Sequence, residues 1–557
     1  MTPIFDLSAS VVDQLAELNP ELSTFLGPSN RDGLWSDLSP SGFEKARAFW
    51  IGILSEATAC EINGRDDEVA QAVLVAEAER SIALAEAGHH FSDLNNIVSP
   101  WQEVRNIFDS MADDTVEAWG NIGQRLRTID QPLAGHRECL TVGIERGEVA
   151  AARQVHAAIE QGRAAAGSDS AFDILLARFD TASEENAELT SDLKADIVGA
   201  IAVAKAAVGA ATDWLESTYL PAAPEADGVG RDRYVAAAEH FLGEPIDPDK
   251  LYAWGWTELT RLTARIHELC ASIDATIPAA AVVERLQSDP DVGVEGADAF
   301  IAVMLERQQA ALRELDGSHF DVPEPIRAIE VKAAPPGGAL APYYAPPSED
   351  FSRPGCVWYP IGERSFFPLY EEVTTAYHEG FPGHHLQVGW QATMGARLSR
   401  FHRLLVWYPG SGEGWALYAE HLMGELGYLE ETAFEIGLVA SQLFRSARIV
   451  IDIGWHCGLG IPSDQPFHPG EEWSFDLATE MLETVAFIDP DLADSEATRY
   501  AGWPGQAISY KVGERAILDL RREMSGSEDF DLKEFHATLL SVGSIGLDLM
   551  RDLVRSA

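Results

Sequence analysis

From about residue 40 to residue 320, apolar residues recur at spacings of three and four among Ala, Glu, Asp and Arg. This spacing puts the apolar residues on one face of an α-helix, so the pattern predicts a series of amphipathic helices. Pro, Gly and Ser cluster between the periodic segments, as in turns and loops. No repeat unit is evident, which favours an irregular helical bundle over a solenoid. The clearest predicted helices cover residues 68–87, 148–166, 189–220 and 251–273.

The pattern changes between residues 320 and 365. Pro-Glu-Pro, Pro-Pro-Gly-Gly and Ala-Pro-Pro-Ser surround short apolar runs there, which indicates a small β-element. Helical spacing resumes at Leu369 and continues to the end. We therefore expect a mainly α fold, an irregular two-lobed helical bundle with a deep central groove. Its predicted lobes are residues 1–230 and residues 231–557.

The composition narrows the range of partners. The formal net charge is −49, so the chain repels nucleic-acid phosphates and anionic lipid, and we expect neither nucleic acid nor a membrane as a partner. The first residues lack a basic segment followed by an apolar run, and no uninterrupted apolar stretch reaches about 18 residues, which predicts a cytoplasmic protein. Five Cys without Cys-x-x-Cys spacing argue against a disulfide framework and against a thiolate metal site.

Residues 377–387 read Tyr-His-Glu-Gly-Phe-Pro-Gly-His-His-Leu-Gln. In the helical zinc motif His-Glu-x-x-His, two His one turn apart bind the metal and the Glu acts on water. Here Pro382 stands four residues after His378, and the next histidines are His384 and His385. Pro cannot donate a hydrogen bond to the carbonyl four residues earlier, which belongs to His378. We therefore predict an irregular helix between residues 380 and 383, which lets His378 share a metal ion with a later His.

Two further blocks accompany this motif: Gly-Glu-Gly-Trp-Ala-Leu-Tyr-Ala-Glu at 412–420, and Tyr-Ala-Gly-Trp-Pro-Gly-Gln-Ala-Ile-Ser-Tyr-Lys-Val-Gly at 500–513. With all three blocks the chain resembles bacterial domain-of-unknown-function family 885. That family is similar in fold to the helical zinc carboxypeptidases of the carboxypeptidase Taq type. The resemblance implies a helical zinc hydrolase with carboxypeptidase activity.

The resemblance also suggests a ligand set. In the related carboxypeptidases the third zinc ligand is a Glu on the next helix, and Glu413 matches it. Glu413 follows His384 by 29 residues, which allows the chain to turn and return antiparallel. His378, His384 and Glu413 are thus the predicted ligands of one Zn²⁺ ion, with His385 as the alternative to His384 or as a group that orients a substrate carbonyl. Glu379 is the predicted general base, which takes a proton from the attacking water.

Charged residues downstream of the motif are candidates for support of the site. Glu420 shares the helix face of Glu413 and is expected to support a ligand or to be a surface charge. Arg448, Asp452 and His456 fall at i, i+4 and i+8, on one helix face. One alternative is a structural ion pair with a neighbouring His. The other is support of the site, in which Asp452 accepts a ring N–H from a ligand histidine or His456 binds substrate.

The block at 500–513 offers hydrogen-bond donors for a reacting carbonyl. In helical zinc peptidases a Tyr or His from this part of the chain stabilises the oxyanion, so the resemblance implies Tyr510 or Tyr500 in that role. We favour Tyr510, because Gln506 and Lys511 lie close to it in sequence. Lys511 or Arg499 is a candidate partner for a substrate carboxylate.

These features together predict a zinc-dependent hydrolase, a metallopeptidase of the carboxypeptidase-like kind that cleaves short peptides. A metal-dependent amidase or other small-molecule hydrolase is the alternative enzyme. A helical binding protein without catalysis is the alternative outside enzymes. The metal content of the purified protein separates the last class from the first two, and digestion of a peptide library separates those two from each other.

Overall fold

The structure is a computed structural model that describes residues 2–27, 29–168, 170–334, 341–348 and 350–557. Helix accounts for 68% of the chain, which confirms the mainly α fold class. The α-helices in chain order are α1 Pro3–Leu18, α2 Pro20–Leu26, α3 Pro40–Ala59, α4 Arg65–Glu86, α5 Pro100–Asn106, α6 Val116–Thr128, α7 Asp130–Arg146, α8 Ala152–Ala166, α9 Ala171–Glu185, α10 Ser191–Trp214, α11 Arg231–Leu242, α12 Pro248–Asp274, α13 Ala279–Leu286, α14 Ala297–Leu315, α15 Leu369–Glu379, α16 His384–Thr393, α17 Arg400–Leu405, α18 Pro409–Glu425, α19 Thr432–Cys457, α20 Phe475–Thr484, α21 Pro490–Gly502, α22 Ser509–Met524, α23 Leu532–Ser541 and α24 Leu547–Arg555. Single turns of 3₁₀ or π geometry lie at His89–Phe91, Ile107–Ser110, Leu215–Tyr219, Leu220–Ala222, Pro290–Val292 and Glu324–Ile326.

Helix boundaries follow the local chemistry of the chain. Several helices begin with Pro, whose fixed φ suits the first helical position and whose missing N–H has no partner to lose there. These residues are Pro3, Pro20, Pro40, Pro100, Pro248, Pro409 and Pro490. Helices α7, α11 and α19 end at a glycine in the left-handed conformation, which glycine adopts without strain.

The helices predicted from apolar spacing are confirmed. The segments 68–87, 148–166, 189–220 and 251–273 correspond to α4, α8, α10 and α12, with ends displaced by a few residues. Helix α10 ends earlier than predicted, because the chain passes into a π turn and then a 3₁₀ turn. Resumption of helix at Leu369 is also observed.

The β-element consists of short strands in two small sheets. The strands are β1 Gly293–Glu295, β2 Ile329–Ala333, β3 Tyr343–Ala345, β4 Gly355–Tyr359 and β5 Phe366–Pro368. Strand β4 lies between β2, which is parallel to it, and β3, which is antiparallel. These three strands fall within the predicted segment. The sheet of β1 and β5 lies outside it, because β5 follows residue 365 and pairs antiparallel with a strand that precedes α14.

The chain divides into two compact units. The first is formed by Met1–Asp227 with Ala501–Trp503, and the second by Gly228–Tyr500 with Pro504–Ala557. In the first unit α10 packs against α6 and α8, and α3 packs against α4. Among the described residues, Ser191–Ala222 is long and apolar enough, by length and composition alone, to cross a membrane. One face of this stretch is buried, with Ile197, Ile201 and Ala204 in the core of the unit, as in a core helix.

The second unit is built around α19. Helices α12 and α15 pack along α19, and α18 packs along α22. Glycines bring α18 and α22 together: a Cβ on Gly513 would overlap the carbonyl oxygen of Gly410, and a Cβ on Gly414 would lie 2.5 Å from the carbonyl carbon of Gly513. The two helix backbones are therefore in direct contact.

We expect Gly513→Ala to lower the free energy of unfolding by roughly 1–3 kcal/mol, because the added methyl group overlaps backbone that cannot rotate away. Gly199→Ala is the control, since a Cβ at this exposed position in α10 meets nothing within 4 Å. Alanine there is expected to stabilise by roughly 0.5–1 kcal/mol. Urea denaturation followed by circular dichroism measures both. Equal stability of the two variants would contradict the close helix contact.

A candidate metal centre

The helix that carries His378 is interrupted as predicted. Helix α15 ends at Glu379, and α16 begins at His384. Pro382 lies in the interruption and has no N–H to continue the helix. The chain folds back tightly here, because a Cβ on Gly383 would overlap the carbonyl oxygen of His378. The prediction of an irregular helix is confirmed.

Two side chains from other helices hold the interruption. Gln308 of α14 donates to the carbonyl of Ala376 and accepts a hydrogen bond of 2.6 Å from the N–H of Phe381. On the other side, the indole N–H of Trp415 in α18 donates to the carbonyl of Pro382 at 2.9 Å. Backbone groups that the broken helix leaves unpaired thus find partners, as buried polar groups require.

The interruption brings His378, His384 and Glu413 together, with one ligand atom from each within 4.8 Å of the others. Oε2 of Glu413 lies 3.4 Å from Nε2 of His378 and 3.5 Å from Nε2 of His384. Tetrahedral ligands at about 2.0–2.1 Å from a zinc ion are separated by about 3.4 Å. The three side chains therefore fit the ligand spacing of a divalent metal ion.

Glu420 fixes the ring of His378. Its Oε1 accepts a hydrogen bond of 2.8 Å from Nδ1 of His378, and its Oε2 accepts from the hydroxyls of Thr374 at 2.8 Å and Ser441 at 3.1 Å. A ring proton is thereby placed on Nδ1, which leaves Nε2, the nitrogen that faces Glu413, as the candidate metal-binding atom. A carboxylate behind a ligating histidine is the usual support of a metal ligand.

The charges of this cluster favour a cation. Burial opposes a charge on the His378 ring, but hydrogen bonding to Glu413 and Glu420 raises the pKa of His378 to about 10. Burial also opposes the charge of Glu413, yet His378 and His384 hold the pKa of Glu413 below its ordinary value. The two carboxylates thus need positive charge beside them. A divalent ion supplies it when the histidines are neutral.

Glu379 lies at the edge of the triad. Its Oε1 is 3.9 Å from Nε2 of His378, and its side chain keeps 13% of its surface exposed. Burial raises the pKa of Glu379, and the positive charges of His378, His384 and Arg445 oppose that rise. The carboxylate is therefore close to the ligand atoms and reachable from solvent, as a proton acceptor must be.

Tyr510 covers one side of the triad. Its ring lies 6.5 Å from that of His378, with 19° between the planes, and the guanidinium carbon of Arg448 lies 4.6 Å from its centre. Within the described parts of the chain, the Tyr510 hydroxyl forms no hydrogen bond. Burial, and next the charge of Glu413, raise the pKa of Tyr510, so the hydroxyl keeps its proton. The hydroxyl is therefore free to donate to a ligand.

His385 points to a different environment. Its Nε2 donates to the carbonyl of Ile326 at 2.8 Å, and its Nδ1 lies 3.2 Å from the hydroxyl of Tyr344 on β3. Burial lowers the pKa of His385 to about 4, so the ring is neutral. The structure thus groups His384, and not His385, with the other two ligand atoms.

Asp452 and His456 belong to a buried network of their own. Asp452 accepts from the hydroxyl of Tyr234 at 2.7 Å and from the N–H of Gly505 at 3.0 Å, and burial raises its pKa to about 7. His456 donates to the carbonyl of Tyr500 at 2.9 Å. The carboxylate that receives a ring N–H from a candidate ligand histidine is Glu420. For Asp452 that role was one of two alternatives, and its hydrogen-bond partners are Tyr234 and Gly505. Asp452 supports local packing instead, because its hydrogen bonds join α11 and the Gly505 turn to α19.

Arg448 and Tyr500 share a carboxylate partner. Arg448 donates to Glu496 and to the hydroxyl of Tyr500, each at 3.0 Å, and Tyr500 donates to Glu496 at 2.6 Å. The Tyr500 hydroxyl already donates its proton to Glu496, so Tyr500 is a poorer candidate than Tyr510 for a hydrogen-bond donor to an oxyanion. Arg448 reaches the triad only through the ring of Tyr510.

Gln506 and Lys511 are bound within the protein. Gln506 accepts a hydrogen bond from Arg499, and the buried Lys511 ammonium contacts Glu514 and Gln442. Lys511 is therefore already neutralised, and its expected role with a substrate carboxylate would require this pair to open.

Sequence reasoning missed Gln308, Trp415 and Arg445. Gln308 lies in an ordinary amphipathic helix, and nothing in its neighbours marks it. Trp415 stands in the Gly-Glu-Gly-Trp block, two residues after the candidate ligand Glu413, and that placement was the available signal. Arg445 precedes Arg448 by three residues, so it shares the helix face already singled out by Arg448 and Asp452.

The sequence profile of a family described as bacterial protein of unknown function, DUF885, matches residues 20–554. The chain belongs to DUF885. The match covers both units, so neither is an addition peculiar to this DUF885 protein. A search of curated proteins gave no match.

Two solved structures share the DUF885 chain's fold, and both are described by the words "putative lipoprotein". The protein from Colwellia psychrerythraea has a TM-score of 0.84 and 22% identity, over 99% of this chain and 98% of that one. The protein from Shewanella oneidensis, described as of unknown function, has a TM-score of 0.74 and 18% identity over the full length of both. At these identities the likeness establishes the fold.

We expect Glu420→Gln to weaken Zn²⁺ binding by roughly 10–100-fold, because a neutral amide polarises the His378 ring less than a carboxylate does. Glu425→Gln, at the exposed end of the same helix, is the control and should bind as the unmodified protein does. Competition with a chelating dye measures both affinities. An unchanged affinity in Glu420→Gln would remove Glu420 from the metal centre.

Proposed function

We propose that this DUF885 protein is a zinc-dependent hydrolase, a metallopeptidase of the carboxypeptidase-like kind that cleaves short peptides. The observation that carries the proposal is the convergence of His378, His384 and Glu413, with Glu420 behind one histidine. Two His and one Glu are the protein ligands of many zinc peptidases. The carboxypeptidase-like activity itself rests on the expected similarity in fold between DUF885 and the helical carboxypeptidases of the Taq type, which stays a prediction.

The side chains around the triad suit hydrolysis. When bound, zinc supplies a Lewis acid that acidifies water and polarises a carbonyl. Glu379, beside the ligand atoms and partly exposed, takes a proton from the attacking water and delivers it to the leaving amine. The free hydroxyl of Tyr510 donates to the substrate oxygen that gains negative charge, a contribution of about 2.7–4 kcal/mol for comparable donors.

Location is a separate part of the proposal. The sequence favours the cytoplasm, whereas the two solved relatives are named as lipoproteins, a description that fits a membrane-anchored or exported protein. Because their identities to this chain are low, the cytoplasmic location stays a prediction. Fractionation of cells that express the natural gene would decide between the two.

Replacement of any triad residue by Ala is expected to remove most bound zinc, since two ligands rarely hold an ion that three were built to hold. The variants are His378→Ala, His384→Ala and Glu413→Ala, and elemental analysis of the purified proteins is the measurement. His421→Ala, a partly exposed histidine of α18, is the matched control and should keep its zinc. Retention in His384→Ala together with loss in His385→Ala would transfer the second ligand position to His385.

Glu379→Gln is expected to keep its zinc and its fold, while its hydrolytic rate falls by about 10²–10⁴-fold, because the amide cannot accept the proton of the attacking water. The assay is chelator-sensitive cleavage of a peptide mixture, followed by mass spectrometry. Elemental analysis of the same sample shows that the metal is retained. A loss smaller than about tenfold would exclude Glu379 as the base. Cleavage of small amides but of no peptide would favour the amidase alternative.

A further inference from the structure

Arg445 is a cation without an ion-pair or hydrogen-bond partner among the described residues. It lies on α19, and its guanidinium carbon is 5.1 Å from the ring centre of Phe444 and 6.0 Å from that of Tyr510. Its Nε is buried and has no hydrogen-bond partner. Across the described residues, the Arg445 guanidinium forms neither an ion pair nor a hydrogen bond, and its terminal nitrogens are not among the buried polar atoms. The outer edge of the guanidinium is therefore open.

Two buried cations near this helix are paired. Arg448 contacts Glu496 and Tyr500, and Lys511 contacts Glu514 and Gln442. Arg445 is only partly buried, but its Nε is buried without a partner, and the desolvation of an unpaired charged group is unfavourable. Arg445 departs from this pattern although acidic side chains lie near it.

Arg445 also lies close to the metal centre. Its guanidinium carbon lies 6.0 Å from the ring centre of Tyr510, and the ring centre of Tyr510 lies 6.5 Å from that of His378. Its charge opposes the rise in pKa that burial imposes on Glu379, and it acts with His378 to keep the pKa of Glu420 low. A group bound by Arg445 would therefore lie near Tyr510, which packs beside His378 of the triad.

We propose that Arg445 binds the terminal α-carboxylate of a peptide substrate and so makes cleavage specific for the carboxyl-terminal residue. The inference rests on the proposed function. A guanidinium edge with two free N–H groups matches the two oxygens of a carboxylate in a bidentate pair. A protein with a net charge of −49 repels anions in general, so an anionic substrate end needs a dedicated cation. Arg445 is a cation beside Tyr510 whose terminal N–H groups donate to no described protein group.

Binding of two peptide mixtures tests the assignment. Both contain N-acetylated tripeptides randomised at every position, one with a free terminal carboxylate and one with a terminal amide. They are equilibrated with full-length Glu379→Gln protein and added Zn²⁺, and retained peptides are quantified by mass spectrometry after dialysis. The free-carboxylate mixture should bind roughly 10–100-fold more tightly, the range expected for a hydrogen bond to a charged group.

Arg445→Gln, made in the Glu379→Gln protein, should abolish that preference. Arg445→Lys should keep part of it, because lysine keeps the positive charge but lacks the paired N–H groups of a guanidinium. These variants should fold, since Arg445 makes no polar contact in the described chain, and their melting temperatures check this. Arg265→Gln is the control, an exposed arginine of α12 paired with Glu435, and should retain the full preference.

Equal retention of the two mixtures, retention of neither, or an unchanged preference in Arg445→Gln would overturn the proposal. Arg445-dependent binding of amidated peptides that contain Asp or Glu would also overturn it, in favour of a side-chain carboxylate. Failure of the proposed function would give a different result. The protein would bind no zinc, while its preference for free-carboxylate peptides would remain and would still depend on Arg445. Cleavage of amidated peptides at the carboxyl-terminal residue would refute the role of Arg445 and leave the hydrolase intact.

Discussion

The interruption between α15 and α16 is the constraint on which the candidate metal centre depends. In an uninterrupted helix, His378 and His384 would face directions about a third of a turn apart. Neither could then share an ion with the other. The break removes this limit, and Gln308 and Trp415 keep the broken segment in one conformation by satisfying its backbone groups. The spacing of the candidate ligands His378 and His384 thus depends on a break in the helix, and hydrogen bonds from two neighbouring helices hold that break in place.

Helix α19 organises the charges around the triad. Ser441, Arg445 and Arg448 lie on the same face at spacings of four and three residues. Ser441 binds the carboxylate behind a ligand histidine, Arg445 leaves a positive charge open, and Arg448 packs on the ring of Tyr510. One helix therefore contacts the support of the candidate metal ligands, carries the proposed carboxylate-binding arginine and packs on the candidate oxyanion donor. A shift of α19 along its axis would disturb all three together.

The local sequence was sufficient to predict those structural features that have their physical cause in neighbouring residues. Apolar spacing identified the helices, because the buried face of a helix repeats within a few residues. The break was predictable because Pro382 removes a specific hydrogen bond. Glu420 was recognised only as one of two options, since its bond to His378 joins residues 42 apart, and Gln308 lies 73 residues from Phe381. The sheet of β1 and β5 escaped prediction because three-residue strands are too short to display alternation.

The contact between α18 and α22 has a consequence for which sequence changes this protein can accept. Glu413 and Tyr510 stand at the start of these two helices, whose backbones touch through Gly410, Gly414 and Gly513. Contact between main chains leaves no rotamer to adjust, so the backbone positions that carry Glu413 and Tyr510 are held at one separation. In evolutionary terms, a residue with a side chain at Gly414 or Gly513 would push the two helices apart and move Glu413 and Tyr510 away from each other. Sequence change at these two glycines is therefore limited by the distance between the helices.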